Sequence, residues 1–173
     1  MRKQTKLTAL CGMMTALCVV IMLPSSVIPV LTYVAPMLTG AVICAVCILA
    51  GRKRAFAVYA AAGVLSMIIL TDKEAALFFV LFFGYYPIVR EPLSKLGRGA
   101  SILLKLLVFN VSVVLASLLA VYVFLVPAEE FTELGAVTIP LYLAVGNGVF
   151  LLYDYSLAKY DPIIKRFVSR LKL

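Results

Sequence analysis

Histidine and tryptophan are both absent from the 173 residues, and charged side chains make up only 14% of them. Without histidine the chain lacks the commonest acid–base residue and the commonest metal ligand. It also has no Gly-rich Lys-Ser/Thr loop to cradle a nucleotide phosphate and no Gly-x-Ser-x-Gly elbow for a nucleophilic serine. No ATPase activity, bound metal or cofactor is therefore expected of this chain. A lipid-handling enzyme is the least expected class, since no carboxylates cluster in a membrane-facing loop. With no tryptophan, any aromatic stacking on a ligand must come from Tyr or Phe.

What is present is apolar. Hydrophobic residues make up 64% of the chain and the mean hydropathy is +1.10, whereas soluble domains run near 45–50% apolar and about 25% charged. A bilayer span takes roughly 20 mostly apolar residues. Breaks fall at Pro24-Ser25-Ser26, Gly51-Arg52-Lys53-Arg54, Thr71–Glu74, Arg90–Gly99 and Pro127–Gly135. They leave six candidate helices, at about 7–23, 31–50, 55–70, 75–89, 101–125 and 136–157. The third and fourth sit at the lower edge of spanning length, and a single re-entrant hairpin is the alternative for them. The first run follows basic residues as a signal peptide's would, but no small-residue cleavage pattern closes it, so it reads as a retained helix. The expected fold is one all-α integral membrane domain over residues 1–173. It would be a compact bundle of about six transmembrane helices with a C-terminal amphipathic interfacial helix.

The charges sort by side. With the N-terminus cytoplasmic, the inner segments hold Arg2, Lys3, Lys6, Arg52, Lys53, Arg54, Arg90, Lys95, Arg98, Lys159, Lys165, Arg166, Arg170 and Lys172, and the outer loops hold Lys73 alone. The acids Asp72, Glu74, Glu129, Glu130 and Glu133 favour the outer face. Retention of Lys and Arg on the cytoplasmic side supports both the count and an orientation with both termini in the cytosol. The net charge of +8 then reads as a topology signal and a contact with anionic lipids rather than a nucleic-acid footprint. In the tail, Asp161 suits a cap and Pro162 a first helical position. Ile163, Ile164, Phe167, Val168 and Leu171 share one face, with Lys165, Arg166, Arg170 and Lys172 on the other. That pattern predicts a helix over 162–173 lying on the inner membrane surface, or else a docking surface for a cytoplasmic partner.

Polar residues inside the apolar runs are few. Lys105 and Asn110 lie on the fifth helix, and Asn147 and Asp154 lie on one face of the sixth. Lys105 and Asp154 reach similar depth, where they pair or snorkel. Asn110 and Asn147 come near mid-membrane, where they bond to each other or contact a ligand. No carboxylate lies at that depth, which disfavours a proton-driven pump. Cys44-x-x-Cys47 falls within the second helix, and Cys11 and Cys18 within the first. They read as small apolar packing, with disulfides between these two helices left open.

Small residues recur at spacing four: Thr8, Gly12 and Ala16, then Ala41/Ala45, Ala57/Ala61 and Ala144/Gly148. The basic start running into "KLTALCGMMTALCVVIMLP", with six short helices and no catalytic motif, resembles the substrate-binding (S) subunits of energy-coupling factor transporters. The likeness covers the whole length in architecture and the first helix in motif. There Gly12-Met13-Met14-Thr15-Ala16 stands where the family often has an Ala-x-x-x-Ala stripe, with Gly in place of the first Ala. The resemblance implies a high-affinity binder of a vitamin or other micronutrient in a bacterial cell membrane, not an enzyme. A transmembrane coupling protein and ATPase subunits would drive uptake, with Thr8, Gly12 and Ala16 packing against the coupling protein. The small-molecule site would open outward. It would draw on Ser25 and Ser26, on Asp72, Lys73 and Glu74 as a lid, on Glu129 and Glu130, and on Asn110, Tyr122, Tyr142 and Asn147. The alternative is a non-transporting membrane scaffold or assembly factor that binds a cytoplasmic partner.

Overall fold

The computed structural model describes residues 2–95, 97–124 and 138–170, and among them the backbone is helical almost throughout, with no strand. Helix α1 (Arg2–Met22) tightens into a 3-10 turn at Leu23–Ser26. Pro24 cannot donate there, and Ser25 Oγ donates to the Met22 carbonyl at 2.8 Å. Helices α2 (Leu31–Ala50) and α3 (Arg52–Ile69) are joined by Gly51 alone. Its φ of +86° is a backbone conformation that a side chain would strain, so one glycine makes the whole turn. The basic triplet, expected in a loop, is instead the first turn of α3.

Helix α4 (Lys73–Phe78) begins at Asp72, whose Oδ1 accepts the Ala75 N–H at 3.0 Å. It runs into a π-helical turn, Phe79–Phe83, and then into α5 (Tyr86–Leu93). The expected helix at about 75–89 is thus a three-part run that extends to Leu93, and Arg90 lies inside it rather than in a loop. In the π turn the Gly84 N–H reaches back five residues to the Phe79 carbonyl at 2.7 Å. The Val80 carbonyl takes the Tyr59 hydroxyl of α3 instead, at 2.7 Å. Tyr59 can approach because position 84 is glycine: a Cβ there would lie 2.5 Å from its ring.

Helix α6 (Arg98–Phe124) falls close to its expected range. Helix α7 (Thr138–Arg170) does not: it continues through Pro162 without a break. The expected separate tail helix with Asp161 as its cap is therefore not what the structure has. An interior proline removes one hydrogen bond and crowds the carbonyl four residues earlier, at a cost of about 3 kcal/mol. The packing of Asp161, described below, works against that cost.

Two apolar clusters hold the bundle. One joins Cys18 and Met22 of α1, Ile43 and Val46 of α2, Ala55, Val58 and Ala62 of α3, and Phe79. The other joins Phe82, Tyr86, Phe109, Phe150, Tyr153 and Leu157 from the π turn, α5, α6 and α7. Phe109 and Phe150 stack at 4.9 Å, and Phe82 meets Tyr86 at 4.9 Å, contacts worth about 0.5–1.5 kcal/mol each beyond area burial. The outward surface is itself apolar, with Met13, Val64, Ile68, Leu103, Val111 and Leu152 all more than half exposed. Among the described residues, four segments are long and apolar enough to cross a membrane: Gln4–Ser26, Leu31–Ala50, Lys73–Leu93 and Gly99–Phe124. Helices α3 and α7 are not among them. The first opens on three basic residues, and the second carries Asn147, Asp154 and Asp161.

Candidate functional site

Helix α7 presents Asn147, Asp154 and Asp161 at intervals of seven residues, which places all three on one side of the helix. That side faces α6, α5 and α2. Asp154 collects three donors: Tyr86 Oη at 2.7 Å, Arg90 Nε at 2.7 Å and Lys105 Nζ at 2.9 Å. Arg90 also gives Nη1 to Asp161 Oδ2 at 2.8 Å, and the Cys44 thiol donates to Asp161 Oδ1 at 3.3 Å. Lys105 is buried, and Arg90 exposes only 11% of its side chain. Two cations and two carboxylates leave the cluster without net charge. Burial of either sign alone would be prohibitive, whereas the balanced set ties four helices together.

Higher on the same face the two carboxamides bond reciprocally. Asn110 Nδ2 donates to Asn147 Oδ1 at 2.9 Å and Asn147 Nδ2 to Asn110 Oδ1 at 3.2 Å. Asn110 Nδ2 also reaches the Leu106 carbonyl at 2.8 Å. Both residues remain half-buried. Asn110 opens a shallow groove with Val111, Val114, Leu115 and Leu118. Tyr122 continues the row Asn110, Val114, Leu118 at spacing four and is 77% exposed, so it stands on an open helix face rather than against a cavity wall. The side chain of Tyr142, and Glu129, Glu130 and Glu133, lie outside the described residues.

At the opposite end of the helices the charged turn is occupied by its own backbone. Lys73 Nζ donates to the Met67 and Leu70 carbonyls at 2.8 and 2.7 Å, capping the end of α3. Asp72 caps α4 with one oxygen and accepts Thr32 Oγ1 with the other at 2.8 Å. Glu74 is half-buried in the first turn of α4. Asp72, Lys73 and Glu74 are therefore brought together with each other but not with Asn110 and Asn147. Ser25 is buried and turned onto its own backbone, while Ser26 is exposed.

The Lys105–Asp154 and Asn110–Asn147 contacts follow the pairing expected from the sequence. Arg90, Tyr86, Cys44 and Asp161 were not expected in a shared network. One further step of the seven-residue register, from Asn147 and Asp154 to Asp161, carries the signal that finds the last of them. The four cysteines are free thiols in the structure. On α1, Thr8, Gly12 and Ala16 all face outward, and a Cβ built at Gly12 meets nothing within 4 Å. Comparison with protein families, with curated proteins and with solved structures gives no match to this chain.

Proposed function

We propose that this chain is a multi-pass protein of the bacterial cell membrane that acts as the substrate-capture subunit of a micronutrient or vitamin uptake transporter. It crosses the bilayer six times with both termini cytoplasmic, and separate coupling and ATPase subunits drive translocation. The observation that carries the reading is the bare face of α1: Thr8, Gly12 and Ala16 are turned away from the protein's own bundle, with open space at Gly12. Small residues on an outward face let another helix come close. Further support comes from the apolar outer surface and from the grouping of Gln4, Arg52, Arg54 and Glu91 at one end, against Thr32 and Asp72 at the other.

Within this reading the solute sits above the Asn110–Asn147 bridge, against the row that ends in Tyr122. Asp72, Lys73 and Glu74 keep the outer ends of α3 and α4 in place. The test is mass spectrometry of solutes and proteins retained by the gently purified chain. A bound small molecule is expected, together with coupling and ATPase subunits that are lost in Gly12→Leu while the solute stays. Retention of a cytosolic protein alone, with no solute, would replace this reading with the scaffold or assembly factor.

A further inference from the structure

Asp161-Pro162 has the composition of a helix start, an acceptor side chain at the cap followed by proline at the first position. In the structure both residues lie inside α7. The single carboxylate of Asp161 thus has two competing uses. In the continuous helix it accepts Arg90 Nη1 at 2.8 Å and the Cys44 thiol at 3.3 Å. In a helix that restarts at Pro162, the same oxygens would accept the N–H groups of Ile163 or Ile164.

We propose that Asp161 is a two-position switch. Bound to Arg90, it keeps α7 straight through Pro162. Released from Arg90, it caps a new helix, and residues 162–170 fold down onto an anionic membrane surface. Three observations support this. Pro162 has no N–H for the Ala158 carbonyl, so the straight form is already weakened at this point. Beyond it the chain has the make-up of a surface helix. An apolar stripe runs from Ile163 to Leu171 and is backed by Lys165, Arg166, Arg170 and Lys172, and Ile163 is left 55% exposed in the straight form. Release also leaves neither partner bare, because Arg90 keeps Asp154 through Nε at 2.7 Å, sharing that carboxylate with Lys105, and Asp161 moves to its capping role. The switch requires a bilayer but does not depend on solute capture.

The experiment uses the full chain in lipid nanodiscs, with spin-label amino acids incorporated at positions 155 and 169. A straight helix separates these backbone positions by about 21 Å from its 1.5 Å rise per residue, and a break at Pro162 adds a shorter, broader population. Replacing zwitterionic lipid by phosphatidylglycerol should raise the short population at least threefold. Asp161→Asn, which keeps a capping side chain but loses the ion pair, should move most molecules to the short separation in either lipid. Pro162→Ala should abolish the short population in both. An unchanged distance distribution in Asp161→Asn, or a short population in Pro162→Ala equal to that of the parent, would overturn the proposal.

Discussion

Tyr153 buries a hydroxyl that has no hydrogen-bond partner among the described residues, against the backbone of Gly40. A methyl group at Gly40 would meet that hydroxyl and would lie 2.6 Å from the Phe83 carbonyl oxygen. Gly40→Ala should therefore destabilise by about 1–3 kcal/mol in detergent thermal unfolding, although alanine is the better helix former. Tyr153→Phe removes an unsatisfied group, so it should be neutral or stabilising alone and should recover part of the Gly40→Ala loss. Asp154 is the opposite case, a residue whose polar atoms are fully used. Asp154→Asn leaves Lys105 without its carboxylate and should cost about 3 kcal/mol. Adding Lys105→Met should give some of this back, because an uncompensated buried charge costs more than a missing pair. Additive losses in that double variant would show that the two residues act independently.

At the scale of elements, the π turn and the charged turn both depend on hydrogen bonds from outside their own helix. The Val80 carbonyl is satisfied by Tyr59 of α3. Tyr59→Phe should cost about 1 kcal/mol and speed hydrogen exchange over residues 79–86, since a half-buried carbonyl is left without a donor. At α4 the capping role of Asp72 makes charge secondary. Asp72→Asn keeps an acceptor for the Ala75 N–H and should change stability little, while Asp72→Ala should lose about 1 kcal/mol. Equal losses in the two variants would show that the carboxylate charge matters more than the cap.

On the scale of the whole molecule, sidedness is the property open to test. Helix α3 starts at the basic triplet and ends at the turn holding Lys73, so a bilayer crossed by α3 separates the two. Impermeant thiol reagents should label Lys53→Cys only from the cytoplasmic side and Lys73→Cys only from outside, in a background lacking the native cysteines. Labelling of both from one side would dismiss the six-crossing arrangement. The halves of the molecule are tied by α2 and by the run from α4 into the π turn, whose residues enter both apolar clusters, and Cys44 of α2 also reaches α7.

Most helix positions, the absence of strands among the described residues and the apolar surface were legible in the sequence, because apolar runs of about 20 residues are too long for strands. The depth match of Lys105 with Asp154 and of Asn110 with Asn147 was legible too, from the rise per residue of two antiparallel helices. The fate of Arg90 and Asp161 was decided only by the tertiary structure. Locally one is a loop cation and the other a helix cap, and it is the approach of α5 and α2 to α7 that gives each a closer partner. The π turn and the continuity of α7 through Pro162 were hidden for the same reason. Both cost free energy locally and persist through contacts made by Tyr59, Arg90 and Cys44, residues far away in the chain.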